Sequence, residues 1–495
     1  MAETFAQLRA AKIDGRTENV RFRQNELQNL HKALRDNADT ICETIQKDAQ
    51  GPRVEVDSEY YLGMLAVRDA YQSLDFDNEL KEEYLIAKNK DNGKRRVGYG
   101  IILIRPTTHT RFFSIVAPVA LAIAAGNCVL LELPQTLSNL DPVLKTTLSK
   151  ALDQDTFVVS NDEVKDQRLL DECLIVDQTG SSTGNFKSEL LSQPSAQTVA
   201  VVDRTADIQK AAKAVVAARF TYGGRSPYSP DIVLVNEFKK KDFFEACVRY
   251  TSQYVPAQAQ SKRAPSQALD EIKNKFKSAE SAGRVSIFGS QEYMIADVRE
   301  RSCSLFDAKI SGCHLAIAPY TSLMDVITLM ESRPTLLASY LFANPATAKF
   351  LSQYIDSHLS CVNQIPLNLL IGPAAPFTHA PSPRTRYTTT MFSQPRPQYA
   401  QSPPIDVVLA TSCLDSETGQ GEKKGFKSKA ILKPDQLRKI ATVPLPSTGQ
   451  RQGGGLGFFE QGILTGLGLA SAVVLPTLAF TAWFAGSRVW RALKR

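Results

Sequence analysis

The pattern of hydrophobic and polar positions predicts an α/β protein over about the first 400 residues. Short apolar runs that are typical of buried strands alternate with stretches in which apolar residues recur at helical spacing. The strand-like runs are, in order, GIILIR, CVLLEL, CLIVDQ, TVAVVD, DIVLV, RVSIF and SYLFA. This alternation indicates βαβ units, whose parallel strands are covered by helices. An amphipathic region before the first run, QLRAAKIDGRTENVRFRQNELQNLHKALRDNADTICETIQKD, predicts helices that pack on a sheet.

The pattern changes near the C-terminus, where residues 461–487 read QGILTGLGLASAVVLPTLAFTAWFAGS and carry no charge. This stretch exceeds the roughly 20 apolar residues that span the hydrocarbon core of a bilayer. It predicts a transmembrane helix, with a buried core helix as the alternative. The last residues, RVWRALKR, supply basic side chains that suit phospholipid headgroups. Both flanks are basic, so charge does not decide between a spanning tail and a hairpin.

Composition narrows the class of protein. The 495 residues are 43% hydrophobic, which is enough for a large core. The net charge is +7, but the basic residues are scattered apart from clusters near the C-terminus, which argues against nucleic acid as a partner. The eight cysteines form no CxxC motif and no zinc-like spacing with the five histidines. We therefore expect no metal site, and a reduced body that faces the cytosol.

One segment is specific enough to indicate a family. In VAPVALAIAAGNCVLLELP, a small-residue helix ends at Gly126-Asn127 and leads into a buried strand, which resembles the cofactor domain of aldehyde dehydrogenases. Three later segments resemble parts of the same family in the same order: SAQTVAVVDRTADIQKAAKAVVAARF, ISGCHLAIAPYTSLMDVITLMESRPTLLASYLFA and TMFSQPRPQ. With the hydrophobic tail, the chain resembles the class 3, fatty aldehyde dehydrogenase branch.

The resemblance implies an aldehyde dehydrogenase-like fold with two Rossmann-type α/β domains, followed by a C-terminal transmembrane helix. We expect five segments. They are N-terminal helices with a cofactor-type α/β domain at 1–210, a catalytic-type α/β domain at 211–400, a linker or surface segment at 401–460, the transmembrane helix at 461–487 and a basic tail at 488–495.

The resemblance also locates the family's catalytic positions, and this chain departs from the family at each of them. The family uses a cysteine nucleophile, a glutamate base and an asparagine that holds the oxyanion. In RFTYGGRSPYSPDIVLV, placing Pro230-Asp231 on the family's Pro-Asp puts Pro227 at the cysteine, where proline has neither a nucleophile nor a backbone N–H. Gln193 takes the place of the glutamate, and His109 takes that of the asparagine.

Ser226, beside the nucleophile position, is a candidate from outside the family pattern. A serine hydroxyl needs a base within hydrogen-bond reach, and the local sequence supplies only Arg225, Tyr222 and Tyr228. The alternative is a loop hydroxyl that bonds the backbone in a turn. His109 has a similar ambiguity, because an imidazole can donate a hydrogen bond or act as a base, whereas a lone loop histidine is commonly incidental.

The family's cofactor contacts are altered as well. Glu132 stands where the family has a lysine for the adenine ribose, and Lys309 stands where it has a glutamate for the nicotinamide ribose. The phosphate-binding turn survives in part as QTGSSTGNF, in which Thr179, Gly180, Ser181 and Gly184 could present backbone N–H groups to an anion. We expect weak binding of NAD, and weaker binding of NADP because Glu132 would repel a 2′-phosphate.

The sequence thus predicts a membrane-anchored aldehyde dehydrogenase-like protein without standard thiol-dependent oxidation, held by a single-pass C-terminal anchor in contact with membrane lipid. One function class is a non-catalytic partner or scaffold that forms a homodimer, or a heterodimer with a related dehydrogenase. The other is an active oxidoreductase of altered mechanism in lipid or specialised metabolism, with His109 or Ser226 in new roles. A misassembled or decaying gene is a third possibility.

Overall fold

The computed structural model describes residues 2–134, 136–181, 187–254, 267–290, 293–303, 305–381, 385–401, 434–449, 455 and 457–493. The chain divides into two compact units, residues 1–401 and 402–495. The strands are β1 (Arg96–Gly98), β2 (Ile101–Arg105), β3 (Cys128–Glu132), β4 (Phe157–Ser160), β5 (Cys173–Asp177), β6 (Glu189–Leu191), β7 (Thr198–Val202), β8 (Ile232–Asn236), β9 (Val285–Gly289), β10 (Tyr293–Val298), β11 (Cys313–Tyr320), β12 (Ala338–Phe342), β13 (Ser360–Val362) and β14 (Ser393–Pro395).

The described α-helices fall between and around these strands. They are α1 (Ala2–Asp14), α2 (Val20–Asp36), α3 (Ala38–Ala49), α4 (Arg53–Gln72), α5 (Phe76–Glu83), α6 (Arg111–Ala124), α7 (Leu140–Ala151), α8 (Gln167–Glu172), α9 (Ile208–Phe220), α10 (Lys240–Thr251), α11 (Gln267–Ser281), α12 (Leu323–Glu331), α13 (Pro345–Tyr354), α14 (Pro434–Ala441) and α15 (Phe458–Leu493).

The first sheet has five parallel strands in the order β4-β3-β2-β5-β6. The residues of β3 and β5 are all buried, as expected for strands covered on both faces. The order reverses between β2 and β5, so the connections that leave these two strands diverge and open a crevice at their carboxyl ends. The loop after β2 and the turn after β5 therefore face a position where ligands of such sheets bind.

The second sheet has seven strands in the order β13-β12-β7-β8-β11-β10-β9. The pairs are parallel except for β9 with β10. Strand β7 pairs with β8 and β12, although the predicted boundary at residue 210 assigns it to the first domain. That boundary stays a prediction. The two sheets confirm the predicted α/β class.

The helix that leads into β3 ends as the sequence indicates. All residues of α6 are buried, in keeping with its run of apolar side chains. Gly126 has a φ of 81°, the left-handed conformation that often ends helices. The side-chain amide of Asn127 donates to the carbonyl oxygens of Ala122 and Phe392, each at 3.0 Å, and its oxygen accepts from the N–H of Gly100 at 2.9 Å. Asn127 thus joins the helix end to two other segments.

A buried ion pair fixes the loop between β2 and α6. Nε of Arg111 lies 2.9 Å from Oδ1 of Asp141, and Nη2 of Arg111 lies 3.0 Å from Oδ2 of Asp141. The same guanidinium donates to the carbonyl oxygens of Pro106 at 2.7 Å and Thr107 at 3.1 Å. Planar bidentate pairing of this kind is geometrically specific. It holds the backbone just before His109 in place.

The C-terminal unit contains the predicted membrane segment. Within α15, the 26 residues Glu460–Ala485 have a mean hydropathy of 2.0, and none of this stretch is buried. Helix α15 is therefore long and apolar enough to cross a membrane. It continues through residue 493 of the predicted basic tail, and residues 494–495 lie outside the described part. Of the predicted linker, residues 402–433 also lie outside it, while α14 and the exposed residues that follow are described.

Removing residues 458–495 is expected to release the protein into the soluble fraction, because α15 supplies the apolar surface that a bilayer would hold. The measurement is the partition of the truncated chain between pellet and supernatant after carbonate extraction of membranes. Deleting residues 434–449 instead is the matched control, and that chain should stay in the pellet. Carbonate-resistant pelleting of the truncated chain would contradict the assignment.

Candidate functional site

A cleft of about 170 Å³ lies at the carboxyl ends of the first-sheet strands, against the loop that follows α9. Its lining comes from loops that connect elements of both sheets of the first unit. The lining residues are Thr107, His109, Gln178 and Pro194 on the side of the first sheet, residues 224–227 of the loop after α9, and residues 309–311 and 373–374. The structure thus places His109, Ser226, Pro227 and Lys309 in the lining of one cleft, while their roles stay a prediction.

The loop after α9 is shaped by left-handed backbone at three successive residues. Tyr222, Gly223 and Gly224 have φ angles of 50°, 64° and 64°. A Cβ at Gly224 would lie 2.1 Å from the carbonyl oxygen of Gly312, so only glycine fits there. The N–H of Gly312 donates to the carbonyl of Gly224 at 3.1 Å. This contact holds the loop against the segment that enters β11.

Pro227 and Ser226 lie side by side in the cleft wall. Pro227, at the predicted nucleophile position, presents a ring with neither a thiol nor an N–H. Its carbonyl oxygen accepts from Nζ of Lys309 at 2.5 Å and from Oγ1 of Thr198 at 3.2 Å. The hydroxyl of Ser226 is buried and accepts from the backbone N–H of Tyr228 at 3.3 Å. The Ser226 contact is that of a turn hydroxyl, and a catalytic role for it stays a prediction.

His109 is buried beside the same cleft, and its environment fixes its protonation. Its Nε2 lies 2.8 Å from the carbonyl oxygen of Leu370, and because a carbonyl can only accept, Nε2 carries the proton. Burial, with a smaller effect from the positive charges of Arg225 and Arg386, lowers the pKa of His109 to about 4 against the opposing effect of the Leu370 hydrogen bond. At neutral pH the imidazole is neutral and Nδ1 has no proton. It cannot then donate to an oxyanion, which is the role of the asparagine whose place it takes.

Lys309 is turned into the protein and bound by a buried carboxylate. Its Nζ lies 3.0 Å from Oδ2 of Asp231, which is fully buried. Asp231 also accepts from the N–H groups of Thr198 at 2.8 Å and Ile310 at 2.9 Å, and NH1 of Arg219 lies 3.6 Å away. Burial lowers the pKa of Lys309, and the negative charge of Asp231 opposes that effect. The ammonium group is committed to internal contacts at the predicted ribose position.

The carboxylate of Glu132 is likewise engaged by hydrogen-bond donors within the protein. Its Oε2 accepts from Nε of Arg105 at 3.2 Å and from the N–H of Val164 at 3.2 Å. Burial raises the pKa of Glu132, while the hydrogen bond from Val164 and the charge of Arg105 oppose the rise. The carboxylate is therefore satisfied within the protein at the predicted adenine-ribose position.

In the turn after β5, backbone N–H groups donate hydrogen bonds to side chains of the same turn. The N–H of Thr179 donates to Oδ1 of Asp177 at 2.7 Å, and the N–H of Ser181 donates to Oγ1 of Thr179 at 3.2 Å. Gly180 adopts a φ of 70° between them. Gly184 lies outside the described residues. The described part of the connection from β5 to β6 contains no helix, so the phosphate-binding helix start that the resemblance implies is not seen in that part.

Of two glutamines that follow strands of the first sheet, only Gln178 lines the cleft, whereas Gln193 was the one predicted at the position of the glutamate base. Gln193 is exposed and lies outside the residues that line the cleft, in a turn where its carbonyl accepts from the N–H of Ala196 at 3.1 Å. Gln178 is fully buried and lines the cleft, with its Nε2 donating to the carbonyl of Ser114 at 2.9 Å. Sequence reasoning missed Gln178. The signal for it was its position directly after the buried run CLIVD, at a strand end.

The cysteines lie apart from the cleft. All seven described cysteines are free and buried, and none is among the cleft-lining residues, while Cys413 lies outside the described part of the chain. Burial raises the pKa of Cys128 and of Cys173 to about 12, and that of Cys247 well above its usual value. Thiols in such surroundings are poor nucleophiles at neutral pH.

The resemblance implies a nicotinamide cofactor, and the residues at its expected contacts fit it poorly. Glu132 is paired with Arg105, the N–H groups of Thr179 and Ser181 are bonded within their turn, and Lys309 is held by Asp231. Groups that must first give up buried partners contribute little net binding energy. Among the described residues, no group of three or more His, Cys, Asp or Glu side chains could hold a metal ion.

No family model matches the chain. Among characterised proteins, it is 25% identical over 371 residues to aldehyde dehydrogenase family 3 member B3 of Mus musculus, covering 70% of this chain and 76% of that protein. It is 22% identical over 363 residues to 4,4'-diaponeurosporen-aldehyde dehydrogenase of Staphylococcus aureus, covering 67% and 78%.

Solved structures are similar in fold. The substrate-bound AldH of Staphylococcus aureus matches with a TM-score of 0.67 and 19% identity, over 82% of this chain and 95% of that chain. The glyceraldehyde-3-phosphate dehydrogenase GapN of Methanocaldococcus jannaschii, complexed with NADP, matches with a TM-score of 0.64 and 16% identity, over 80% and 93%. The solved structures show the shared fold, and the family 3 relatives support the assignment of this chain to the aldehyde dehydrogenase superfamily as a class 3-like protein.

Proposed function

We propose that this chain is a membrane-anchored aldehyde dehydrogenase-like protein that has lost thiol-dependent aldehyde oxidation and serves as a non-catalytic partner or scaffold. The observation that carries the proposal is Pro227 in the wall of the cleft. Covalent catalysis on an aldehyde requires a nucleophile at that wall, and proline supplies none. It also removes one N–H that could stabilise the oxyanion.

The groups around Pro227 do not replace the missing parts. His109 is neutral and has its N–H directed to Leu370, so it is a weak base and not an oxyanion donor. Ser226 is bonded by a backbone N–H rather than by a base. No carboxylate is among the described residues that line the cleft, so water for deacylation would lack a general base.

We propose that NAD binds only feebly. Losing two charge-assisted contacts at about 1.5 to 3 kcal/mol each would weaken binding by roughly two to four orders of magnitude. The pairing of Glu132 with Arg105 and of Lys309 with Asp231 supports this proposal.

The long apolar helix α15 supports the proposal that the protein is bound to a membrane. We propose a single-pass anchor in membrane lipid with the body on the cytosolic face, and the support for the anchor is that α15 is long and apolar enough to cross a membrane. In this setting the body would form a homodimer, or a heterodimer with a related dehydrogenase, and would contribute surface rather than turnover.

One observation favours a second candidate function. His109 and Ser226 both line the cleft, where a repurposed oxidoreductase of altered mechanism in lipid or specialised metabolism would use them. That function requires one of these side chains to touch the substrate, so it is separable from the first by substitution.

The purified full-length chain is expected to produce no NADH above background from a medium-chain or a long-chain aldehyde. Pro227→Cys alone should stay at background, because a thioester formed there would still lack a general base. The measurement is NADH absorbance with the wild type, Pro227→Cys and Pro227→Ala side by side. Wild-type turnover that survives Pro227→Ala but is abolished by Ser226→Ala or His109→Ala would establish the second candidate function and refute the first.

Titration calorimetry with NAD is expected to show no binding in the micromolar range. An active family 3 relative measured under the same conditions is the positive control for the ligand and the assay. A micromolar dissociation constant for this chain would mean that the cofactor displaces the internal partners of Glu132 and Lys309. It would favour the second candidate function, an oxidoreductase of altered mechanism.

A further inference from the structure

The end of α14 and the residues that follow it form an exposed segment of the C-terminal unit. The segment comprises residues 438–445, RKIATVPL, and is called the α14 segment. All eight of its residues are exposed. The segment combines two kinds of side chain, large apolar groups and cations, that rarely stand together on a surface without a partner.

Three large apolar side chains of the α14 segment face solvent. Ile440 is 60% exposed, Val443 is 65% exposed and Leu445 is 92% exposed. The N–H of Val443 donates to the carbonyl of Ile440 at 3.3 Å, so the turn after α14 keeps these two residues close together. Exposed apolar groups that are clustered in this way mark contact with a protein or a membrane.

The backbone of the same segment is adapted to an apolar environment. Pro444 and Pro446 flank Leu445, and a proline has no backbone N–H. Each N–H that lacks a partner would cost free energy on leaving water. The two prolines therefore lower the cost of placing Leu445 in an apolar layer.

The charge of the α14 segment is entirely positive. Arg438 and Lys439 lie in the last turn of α14, and both residues are exposed. The sequence has no acidic residue between Asp435 and Glu460, whereas Arg451 adds a third cation in that interval. The headgroup layer of an anionic membrane matches this combination, because acyl chains lie directly beneath its negative charges. Long basic side chains can reach those charges while their stems stay in the apolar layer.

The chain itself limits how far the α14 segment can lie from the apolar stretch of α15. That stretch begins at Glu460, and Leu445 precedes it by 15 residues. At no more than about 3.6 Å per residue, the separation cannot exceed roughly 50 to 55 Å. Such a tether gives a nearby bilayer a high effective concentration, so a weak contact is enough to hold the segment there. A soluble acidic partner has no such advantage.

We propose that the α14 segment binds the headgroup layer of an anionic phospholipid membrane. Its three large apolar side chains enter the layer, and Arg438 and Lys439 pair with lipid anions. The inference rests on the proposed membrane anchor, since α15 brings the segment to the bilayer. Helix α15 would hold the protein in a bilayer of any charge, and the α14 segment would favour an anionic leaflet.

Hydrogen–deuterium exchange of the full-length protein in lipid nanodiscs tests the proposal. The bilayers to compare are phosphatidylcholine alone and phosphatidylcholine mixed with phosphatidylserine. Exchange of the α14 segment is expected to be slower in the mixed bilayer by about fivefold or more, because each basic side chain near an anionic surface contributes about fivefold in affinity. High salt should reduce this difference, since it screens charges at the surface.

Paired substitutions separate the effect of charge from other effects. Arg438→Gln with Lys439→Gln should abolish the difference between the two bilayers. Arg438→Lys with Lys439→Arg keeps both charges and should keep the difference. Lys88→Gln with Lys90→Gln, the same loss of charge at exposed positions outside the segment, is the matched control and should leave the difference unchanged.

The apolar contribution has its own test. Ile440→Ser with Val443→Ser should speed the exchange of the segment in the mixed bilayer, because the apolar groups that enter the layer are removed. Unchanged exchange in this variant would overturn the insertion of these side chains.

Three results would overturn the proposal as a whole. They are equal exchange in the two bilayers, a difference that survives the two glutamines, and equal protection in detergent micelles, which would mean that protein rather than lipid covers the segment. Failure of the anchor is distinguishable from these results. A chain that does not stay with the nanodiscs would refute the anchor and this inference together, whereas a chain that stays but exchanges equally in both bilayers would refute this inference alone.

Discussion

The geometry of the cleft depends on one fully buried carboxylate, that of Asp231. It receives the N–H groups of Thr198 and Ile310, the ammonium of Lys309 at 3.0 Å and, at 3.6 Å, the guanidinium of Arg219. A buried charge is tolerated only when it is paired and hydrogen-bonded. Because its donors come from the end of α9, the start of β7 and the approach to β11, Asp231 joins three segments. The loop that contains Pro227 runs from Arg219 to Asp231, and the carboxylate of Asp231 holds these two ends together.

That constraint explains how the cleft keeps its shape around Pro227. Lys309 stands where a cofactor contact is expected, and its side chain instead ties the carbonyl of Pro227 to Asp231. Pro227 contributes a fixed backbone and a carbonyl acceptor, and its side chain has no nucleophilic atom. A fold can retain a concave site after the functional groups change, since fold and site are separate properties. Here the contacts of Lys309 with Pro227 and Asp231 stabilise the loop, and they use the ammonium group that would otherwise contact a ligand.

The sequence predicts elements whose residues are governed by local pattern. The buried runs became strands of the two sheets, Gly126-Asn127 ends α6, and the uncharged tail is one long helix. It predicts the site less well, because partners there come from distant segments. The pairing of Arg105 with Glu132, and the burial of Gln178 while Gln193 stays exposed, depend on tertiary contacts that residue spacing does not contain.

We propose that no residue of the loop after α9 forms an acyl intermediate. Because the described cleft lining has no carboxylate base, any acyl group formed there would be hydrolysed slowly and would accumulate. Intact-protein mass spectrometry of the full-length chain after incubation with hexanal and NAD, followed by peptide mapping, is the most direct measurement. We expect the loop at residues 219–231 to stay unmodified. A hexanoyl group on any residue of that loop would contradict it.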